Sequence, residues 1–322
     1  MSLDLSIVLI TYNRSSYLRR TLTALSQSVF KDCEIWVLDN ASTDDSAQVC
    51  QEYSSKFSNF HTVTHRTNIG GNSNILRAYE YGSRYYKWIL CDDDELIFDS
   101  VGDLIQALGE KKCDLIRVAE LGVVAEERGK VSSLGDLLQD PQSMSFYSFG
   151  FVPGIIFKSE SVLPHVQHGY LNIQTRYPQL FVLMKAFAMN ALVYTMLNPL
   201  LQRGGAGGGM GSEILIYQIL SLDALPTQRS RQVALGWRSK RQNLLRYIFG
   251  YGFLVMSDLR AGRSRRQICQ IILKTISIAP SLTGKLILLL NTVFILVPVG
   301  LVYRVIKGEK IDIIPYPERG SI

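Results

Sequence analysis

The sequence predicts an α/β protein with a mainly parallel sheet, followed by a C-terminal extension that is helical, basic and apolar. Three observations predict it. Short β-rich runs alternate with helical stretches through the first hundred or so residues, which is the pattern of βαβ units. Polar residues gather where each run ends. The charge is split unevenly along the chain.

The elements follow in order. LSIVLITYNR (5–14) is a β-rich run ending in Thr11, Tyr12 and Asn13. SSYLRRTLTALSQSV (15–29) carries Leu18, Leu22 and Leu25 at helical spacing, with Ser15 or Ser16 as N-cap. CEIWVLDNAST (33–43) is a second strand ending in Asp39 and Asn40, and TDDSAQVCQEYSSKF (43–57) a helix capped by Thr43 or Asp44. FHTVTHR (60–66) is a third strand, NIGGNSNILRAYEYGS (68–83) a turn and helix, and YYKWILCDDDE (85–95) a fourth strand. The alternation fades after about residue 120. Beyond it, FGFVPGIIFKSE (149–160) reads as a strand, RYPQLFVLMKAFAMN (176–190) as a helix and ALVYTM (191–196) as a strand. No internal repeat is visible. In parallel sheets ligands bind beyond the carboxyl ends of the strands, where Tyr12–Asn13, Asp39–Asn40, residues 68–74 and Asp92–Asp94 fall.

With 47% hydrophobic and 19% charged residues, the 322-residue chain is globular with unusually apolar parts. The net charge of +6 hides an asymmetry: residues 1–226 hold 18 Lys/Arg against 24 Asp/Glu, and residues 227–322 hold 16 against 4. An acidic body thus carries a basic tail. The five cysteines (33, 50, 91, 113 and 269) are scattered without a CxxC pair and read as reduced core residues. The first apolar run is too short, and lacks the basic leader, for a signal peptide.

Asp92-Asp93-Asp94-Glu95 is the oddest stretch, because adjacent carboxylates repel unless something cationic neutralises them. Strand alternation puts Asp92 and Asp94 on one side and Asp93 on the other. Two carboxylates converging at the mouth of a sheet make a hard oxygen site for Mg²⁺ or Mn²⁺, ions that commonly bridge a diphosphate. The plainer reading is a solvated acidic turn at a helix start. The loop RGGAGGGMG (203–211) is either a connector or a lid over a phosphate, with Arg203 as its charge. It is no P-loop, since no Gly-Lys-Ser/Thr closes it. His61 and His65, and His165 and His168, lack the converging soft ligands of a zinc site.

These motifs, in this order, resemble the nucleotide-sugar-binding half of the family 2 glycosyltransferases, over about residues 5–100 strongly and toward 215 more weakly. The resemblance implies the GT-A fold, a Rossmann-like nucleotide-sugar-binding arrangement. It implies that Thr11, Tyr12 and Asn13 lie beside the nucleobase, and that Asp39 binds base or ribose. Asn40, Ser42 and Asp44 would close that turn, and Asn68-Ile69-Gly70 matches the family's Asn-x-Gly segment. Asp92-Asp93-Asp94 matches its Asp-x-Asp motif, with Asp92 near ribose and metal, Asp93 at the nucleotide, and Asp94 as the main metal ligand. The chain departs from the family at the acceptor side, where Tyr177-Pro178-Gln179 stands in place of a Glu-Asp pair that supplies the general base. Glu160 and His165 are the base candidates, with His168 also nearby, and Tyr177 and Gln179 are acceptor-orienting residues. CDDDELIFDS and RYPQL are similar to the O-antigen branch that includes abequosyltransferase-like enzymes.

The tail holds LILLLNTVFILVPVGLVY (286–303), 18 residues without a charge between basic flanks. It is at the lower length limit of a bilayer span, and Asn291 and Pro298 weaken it. A buried core helix and a membrane-lying anchor are the readings, the basic clusters favouring the second. No nucleic-acid module accompanies the basic residues.

The expectation is therefore a GT-A domain over residues 1–215 and a membrane-associating helical region over 216–322. An inverting transferase would move a hexosyl or deoxyhexosyl group from a nucleoside-diphospho-sugar, with Mg²⁺ or Mn²⁺, to a lipid-linked glycan at the cytoplasmic face of the inner membrane. A catalytically silent sugar-nucleotide-binding protein and a metal-dependent phosphotransfer enzyme are the alternatives.

Overall fold

A computed structural model describes residues 3–98, 101–123, 127–140, 149–173, 175, 177–204, 224–227 and 229–230. The chain divides into two compact units, residues 1–209 with 217–241, and residues 210–216 with 242–322. The second unit lies outside the described residues, and with it most of the expected C-terminal extension, including arginines 263, 265 and 266 and the apolar run 286–303.

The elements of the first unit begin with β1 (Leu5–Thr11), α1 (Ser15–Ser26), β2 (Glu34–Asp39), α2 (Ser46–Tyr53), β3 (Asn59–Thr64), α3 (Gly71–Ala78) and β4 (Tyr86–Cys91). There follow β5 (Glu95–Leu96), α4 (Gly102–Glu110), β6 (Leu115–Glu120), β7 (Val131–Ser133), α5 (Leu134–Gln139), β8 (Ile155–Lys158), α6 (Ser159–Val162), α7 (Val166–Leu171), α8 (Pro178–Ala186) and β9 (Leu192–Gln202). One sheet runs β3-β2-β1-β4-β8-β6-β9-β5, with β7 also on β9. The β3-β2-β1-β4 half is wholly parallel. Across the centre β8 is antiparallel to both β4 and β6, so β6 runs the same way as β4, and β9 is parallel to β6.

Both sheet faces are covered, and period-two alternation sorts the side chains between them. Leu5, Ile7 and Leu9 of β1 and Tyr86, Trp88 and Leu90 of β4 pack with Leu18, Leu22 and Leu25 of α1. Val8 and Ile89 face the opposite layer, with Leu76 of α3 and Leu180, Val182 and Leu183 of α8. The three leucines of α1 are fully buried, so the helix forms because its apolar stripe has a face to cover.

Its start differs from the expected one. The N-cap is Arg14, with no side-chain cap bond, and the Ser15 amide is taken by Asp44 Oδ2 at 2.8 Å. Asp44 Oδ1 also accepts from the Ser46 amide (3.1 Å) and hydroxyl (2.6 Å). One carboxylate thus satisfies amides at the N-termini of α1 and α2, where negative charge is favoured. The residue before α2 is Asp45, which makes no side-chain cap bond, so the capping carboxylate is Asp44, one of the two expected residues. Burial would raise the Asp44 carboxyl, but these bonds outweigh it and hold it below its ordinary value.

The later strands depart most from the sequence reading. β8 is only four residues long, and β9 extends from Leu192 to Gln202, through Pro199. Pairing with β6 shifts register around Ala119 and Pro199, as a proline without an N–H requires. β6 was not expected at all.

Candidate active site

The site is built at the carboxyl edge of β1, β2, β4 and β6, beginning with the turns after β1 and β2. The Asn40 amide donates to Thr11 O at 3.0 Å, which joins the two strand ends. Asn13 sits at φ 49° and Ala41 at φ 66°, left-handed conformations that cost a non-glycine residue free energy. They are held by reciprocal bonds: the Asn13 amide donates to Ser42 Oγ (2.8 Å), and the Thr43 amide to Asn13 Oδ1 (2.7 Å). Asp39, 4% exposed, accepts at Oδ1 from the Ser42 amide (3.0 Å) and hydroxyl. Asn40 reaches the next loop, donating to Asn68 Oδ1 (2.8 Å) and accepting from the Ile69 amide (2.9 Å). Asn68 Oδ1 also takes the Gly70 amide at 2.8 Å, where the backbone has φ 86° and glycine is needed. The structure therefore brings Asn13, Asp39, Asn40, Asp44 and Asn68 into one hydrogen-bonded rim, with Tyr12 exposed upon it.

The acid cluster adjoins this rim, because β4 lies next to β1. Asp92 is 2% exposed. Its Oδ2 accepts from Thr11 Oγ1 at 2.7 Å and its Oδ1 from Arg14 Nη1 at 3.1 Å. Arg14 also lies 3.3 Å from Asp93 Oδ2. Arg20 Nη2 donates to the carbonyls of Asp93 (2.9 Å) and Asp94 (3.2 Å), and Thr21 to that of Asp92 (3.0 Å). Burial raises the Asp92 carboxyl despite Thr11 and Arg14. Burial also pushes Asp94 up to about 6, a bond from the Gly204 amide (2.9 Å) opposing it.

Donor atoms of Cys91, Asp93 and Asp94 lie within 4.8 Å of one another. This corrects the expected pairing of Asp92 with Asp94. β4 ends at Cys91 and the chain turns, so strand alternation does not continue through the acids. Asp92 is turned inward to Thr11 and Arg14, and Asp93 faces the same space as Asp94. Two carboxylates suit Mg²⁺ or Mn²⁺. The Cys91 thiol, raised by burial and by the three acids, stays protonated and is a poor ligand for such ions.

The second half meets this edge at two places. Trp88 and Ile116 both pair with Ile156, so β4, ending at Cys91, and β6, ending at Glu120, finish at the same edge of the sheet. Arg203, just past β9, is 2.9 Å from Glu120 and its guanidinium lies 4.1 Å over the Phe151 ring. Asn72 Nδ2 donates to Ile173 O at 2.7 Å, which ties the segment after α7 to the first turn of α3.

The base candidates fall elsewhere. Lys158 pairs with Tyr86 at the amino end of β4, so Glu160 begins α6 at the opposite end of the sheet from the acids. Its side chain is 77% exposed and ion-paired with Lys158 at 3.1 Å. The antiparallel return of β8 is the reason. His165 precedes α7 at the end away from Ile173 and stacks on His168, ring centroids 5.9 Å apart. Among the described residues no hydrogen bond or ion pair joins either one to Asp92–Asp94. Gln179 is 2% exposed, donates to Gly150 O at 2.6 Å and, among the described residues, leaves Oε1 without a partner. The Tyr177 ring packs within 3.5 Å of where a Cβ on Gly150 would stand.

Sequence reasoning missed Arg14, Arg20, Thr21, Cys91, Glu120, Phe151 and Gly204. Arg14 completes the Thr-Tyr-Asn-Arg run and was within reach of the motif. The short, mostly apolar run Leu115–Glu120 could have marked Glu120 as another strand end.

Residues 6–135 match Glycosyl transferase family 2. The abequosyltransferase RfbV of Salmonella typhimurium is 31% identical over 115 residues, which cover 34% of this chain and 34% of that protein. The GalNAc(5)-diNAcBac-PP-undecaprenol beta-1,3-glucosyltransferase of Campylobacter jejuni is 29% identical over 109 residues, 33% of this chain and 35% of that protein. Each likeness thus spans about a third of the relative's length. Residues 1–349 of S. aureus TarS, solved in complex with UDP-GlcNAc, superpose with a TM-score of 0.63 at 16% identity, over 96% of this chain and 93% of that one. That likeness carries the fold, the GT-A arrangement.

Proposed function

We propose that this chain, whose residues 6–135 match Glycosyl transferase family 2, transfers a sugar from a nucleoside-diphospho-sugar to a hydroxyl of a glycan acceptor. The observation that carries this reading is the shared edge: the rim at Asp39, Asn40 and Asn68 adjoins the carboxylates of Asp93 and Asp94. A nucleoside on the rim has its diphosphate directed at the acids.

In this reading Asp39 hydrogen-bonds base or ribose, and Thr11, Tyr12 and Asn13 border the base. Asp44 holds the helix starts that shape the turn. Asp93 and Asp94 would hold Mg²⁺ or Mn²⁺, which as a Lewis acid stabilises the leaving diphosphate. Asp92, fixed by Thr11 and Arg14, orients the turn that carries them. The acceptor oxygen bonds to the anomeric carbon from the face opposite the diphosphate, the carbon–oxygen bond to the diphosphate breaks, and the anomeric configuration inverts. The acceptor's proton passes to a base. Tyr177 and Gln179 border the acceptor side, and the free Gln179 Oε1 can accept a hydrogen bond there but cannot take the proton.

The acceptor is proposed to be lipid-linked and the product a bacterial surface polysaccharide of the O-antigen kind, in line with the relatives' names. The protein would work at the cytoplasmic face of the inner membrane, held by the basic, apolar region from about residue 227. Among the described residues no helix is long and apolar enough to cross a membrane. A second reading, a silent sugar-nucleotide-binding protein, is favoured by Pro178 and Gln179 standing where the family's Glu-Asp pair is expected.

Incubation with a panel of nucleotide sugars and Mn²⁺ tests the enzymatic reading. Release of nucleoside diphosphate from one donor is expected. Tight donor binding with no release, even with membrane glycolipids added, would establish the silent binder instead.

A further inference from the structure

We propose that Glu120 is a positioning residue that holds Arg203 as a second cation for the donor's diphosphate. The proposal rests on the donor reading above and deepens it by naming a group outside every motif of the nucleotide half.

Glu120 ends β6 with its side chain 7% exposed. Both carboxylate oxygens are committed to one partner: Arg203 Nε donates to Oε2 at 3.0 Å and Nη2 to Oε1 at 3.1 Å. This is the bidentate fork that arginine makes and lysine cannot. The guanidinium is held against Phe151 as well, 4.1 Å from the ring centroid. Fork and ring together fix its plane. Yet the side chain is 51% exposed, and among the described residues Nη1 has no partner. A buried carboxylate is costly unless paired, so an arrangement that buries Glu120 to hold a half-exposed arginine needs a reason.

The surroundings supply one. Gly204 follows Arg203, and its amide lies on Asp94 Oδ1. A Cβ at Gly204 would stand 1.8 Å from Asp93 O, so only glycine lets the backbone press this closely on the acids. Arg203 is therefore tied one residue from the group that would hold the metal, and its charge is near enough to lower the Asp94 carboxyl. The edge holds the carboxylates of Asp92, Asp93, Asp94 and Glu120. Arg14 Nη1 pairs with Asp92 and Asp93, and Arg20 Nη2 is held on the carbonyls of Asp93 and Asp94. A diphosphate adds two negative charges, and Arg203, fixed by Nε and Nη2, presents its Nη1 edge to meet them. Glu120 acts through Arg203, without touching the donor.

Calorimetric titration in Mn²⁺ with UDP, UMP and inorganic pyrophosphate tests this, on wild type, Arg203→Gln, Arg203→Lys, Glu120→Gln and the Glu120→Gln/Arg203→Gln double variant. Arg203→Gln, a half-exposed change that leaves the core intact, should weaken UDP and pyrophosphate about tenfold to a hundredfold and UMP far less. Arg203→Lys should recover only part of the loss. Glu120→Gln should weaken the same two ligands about tenfold, and the double variant should be no worse than Arg203→Gln, since the two residues act as one unit. Unchanged diphosphate affinity in Arg203→Gln would overturn the proposal. So would a Glu120→Gln loss that adds to that of Arg203→Gln, or one equal for UDP and UMP. GDP, CDP and dTDP are titrated beside UDP, and the one that binds takes its place in the variants: if wild type binds pyrophosphate in an Arg203-dependent way but none of the four nucleotides, the donor reading fails and the clamp stands; if it binds neither, both fail.

Discussion

The nucleotide half of the sheet, β1 to β4, and the acceptor half, β6 to β9, meet at one edge but are made in opposite ways. In the first half most functional side chains come from a turn directly after a parallel strand, with Arg20 and Thr21 added from α1. Those turns are cross-tied: Asn13 to Thr43, Asp44 to Ser15 and Ser46, Asn40 to Asn68. In the second half the edge is reached by a four-residue antiparallel strand, a bulged strand carrying Pro199, and Arg203 and Gly204 just past it. The difference teaches where chemistry is legible. A βα turn puts its residues at the carboxyl edge by construction, whereas an antiparallel return decides only in three dimensions which residues arrive there.

Removal of the acid that serves both halves should have the largest effect. Asp94→Ala should lower transfer on the order of a hundredfold or more, the scale of a metal's charge stabilisation. Asp93→Ala should also lose metal affinity, because Asp93 shares the cluster. Steady-state rates across a Mn²⁺ series check both, and an Asp93→Ala enzyme with unchanged metal dependence would restore the alternation pattern that the turn at Asp92 displaces.

Asp39→Ala tests the first half alone. It should weaken free-nucleoside binding without metal by about 1.5–3 kcal/mol, the range for a charged hydrogen bond. A loss seen only with metal present would mean that the two halves are not separable in this way.

The site's cost to the fold comes next. Asp94 has a folded pKa of about 6, above the ordinary carboxylate value. The folded state then binds more protons than the unfolded chain between about pH 4 and 6, so this group's contribution falls as pH rises through that window. Asp94→Asn should therefore raise stability at pH 7 by up to about 2–3 kcal/mol, with little gain at pH 4. Denaturant melts at the two pH values check this, and equal shifts at both would contradict it. Asp44 has the opposite sign. Its lowered carboxyl stabilises the fold above the unfolded value, and that contribution is lost as pH falls through the folded one.

The smallest expected effect is in the second half. Glu160→Gln and His165→Gln should leave transfer within about twofold of wild type, since surface changes away from a site rarely matter. A large loss of turnover in either, with donor affinity kept, would mean that the acceptor half rearranges around substrate.

The legibility of the sequence follows the same division. Leu18, Leu22 and Leu25 marked the buried face of α1, and the strand-end residues Asp39, Asn40 and Asp92–Asp94 marked the edge, because both depend on local periods. The capping of α1 by Asp44, 29 residues from Ser15, has no local signature. Nor has the inward turn of Asp92, which depends on Thr11 and Arg14 of a neighbouring strand and its turn. Glu160 was misplaced because the direction of β8 is a property of the sheet. Glu120 was passed over because β6 lies where the regular βα alternation ends.

The central claim is that the rim at Asp39 and the acids at Asp93 and Asp94 form one metal-dependent donor site. Calorimetric titration of nucleoside diphosphates (UDP, GDP, CDP and dTDP) into wild type and Asp94→Ala, with and without Mn²⁺, tests it most directly. The account predicts that one nucleotide binds wild type more tightly in Mn²⁺, and that Asp94→Ala loses the metal's enhancement while keeping the metal-free affinity. Equal affinity of the two proteins in Mn²⁺ would contradict it.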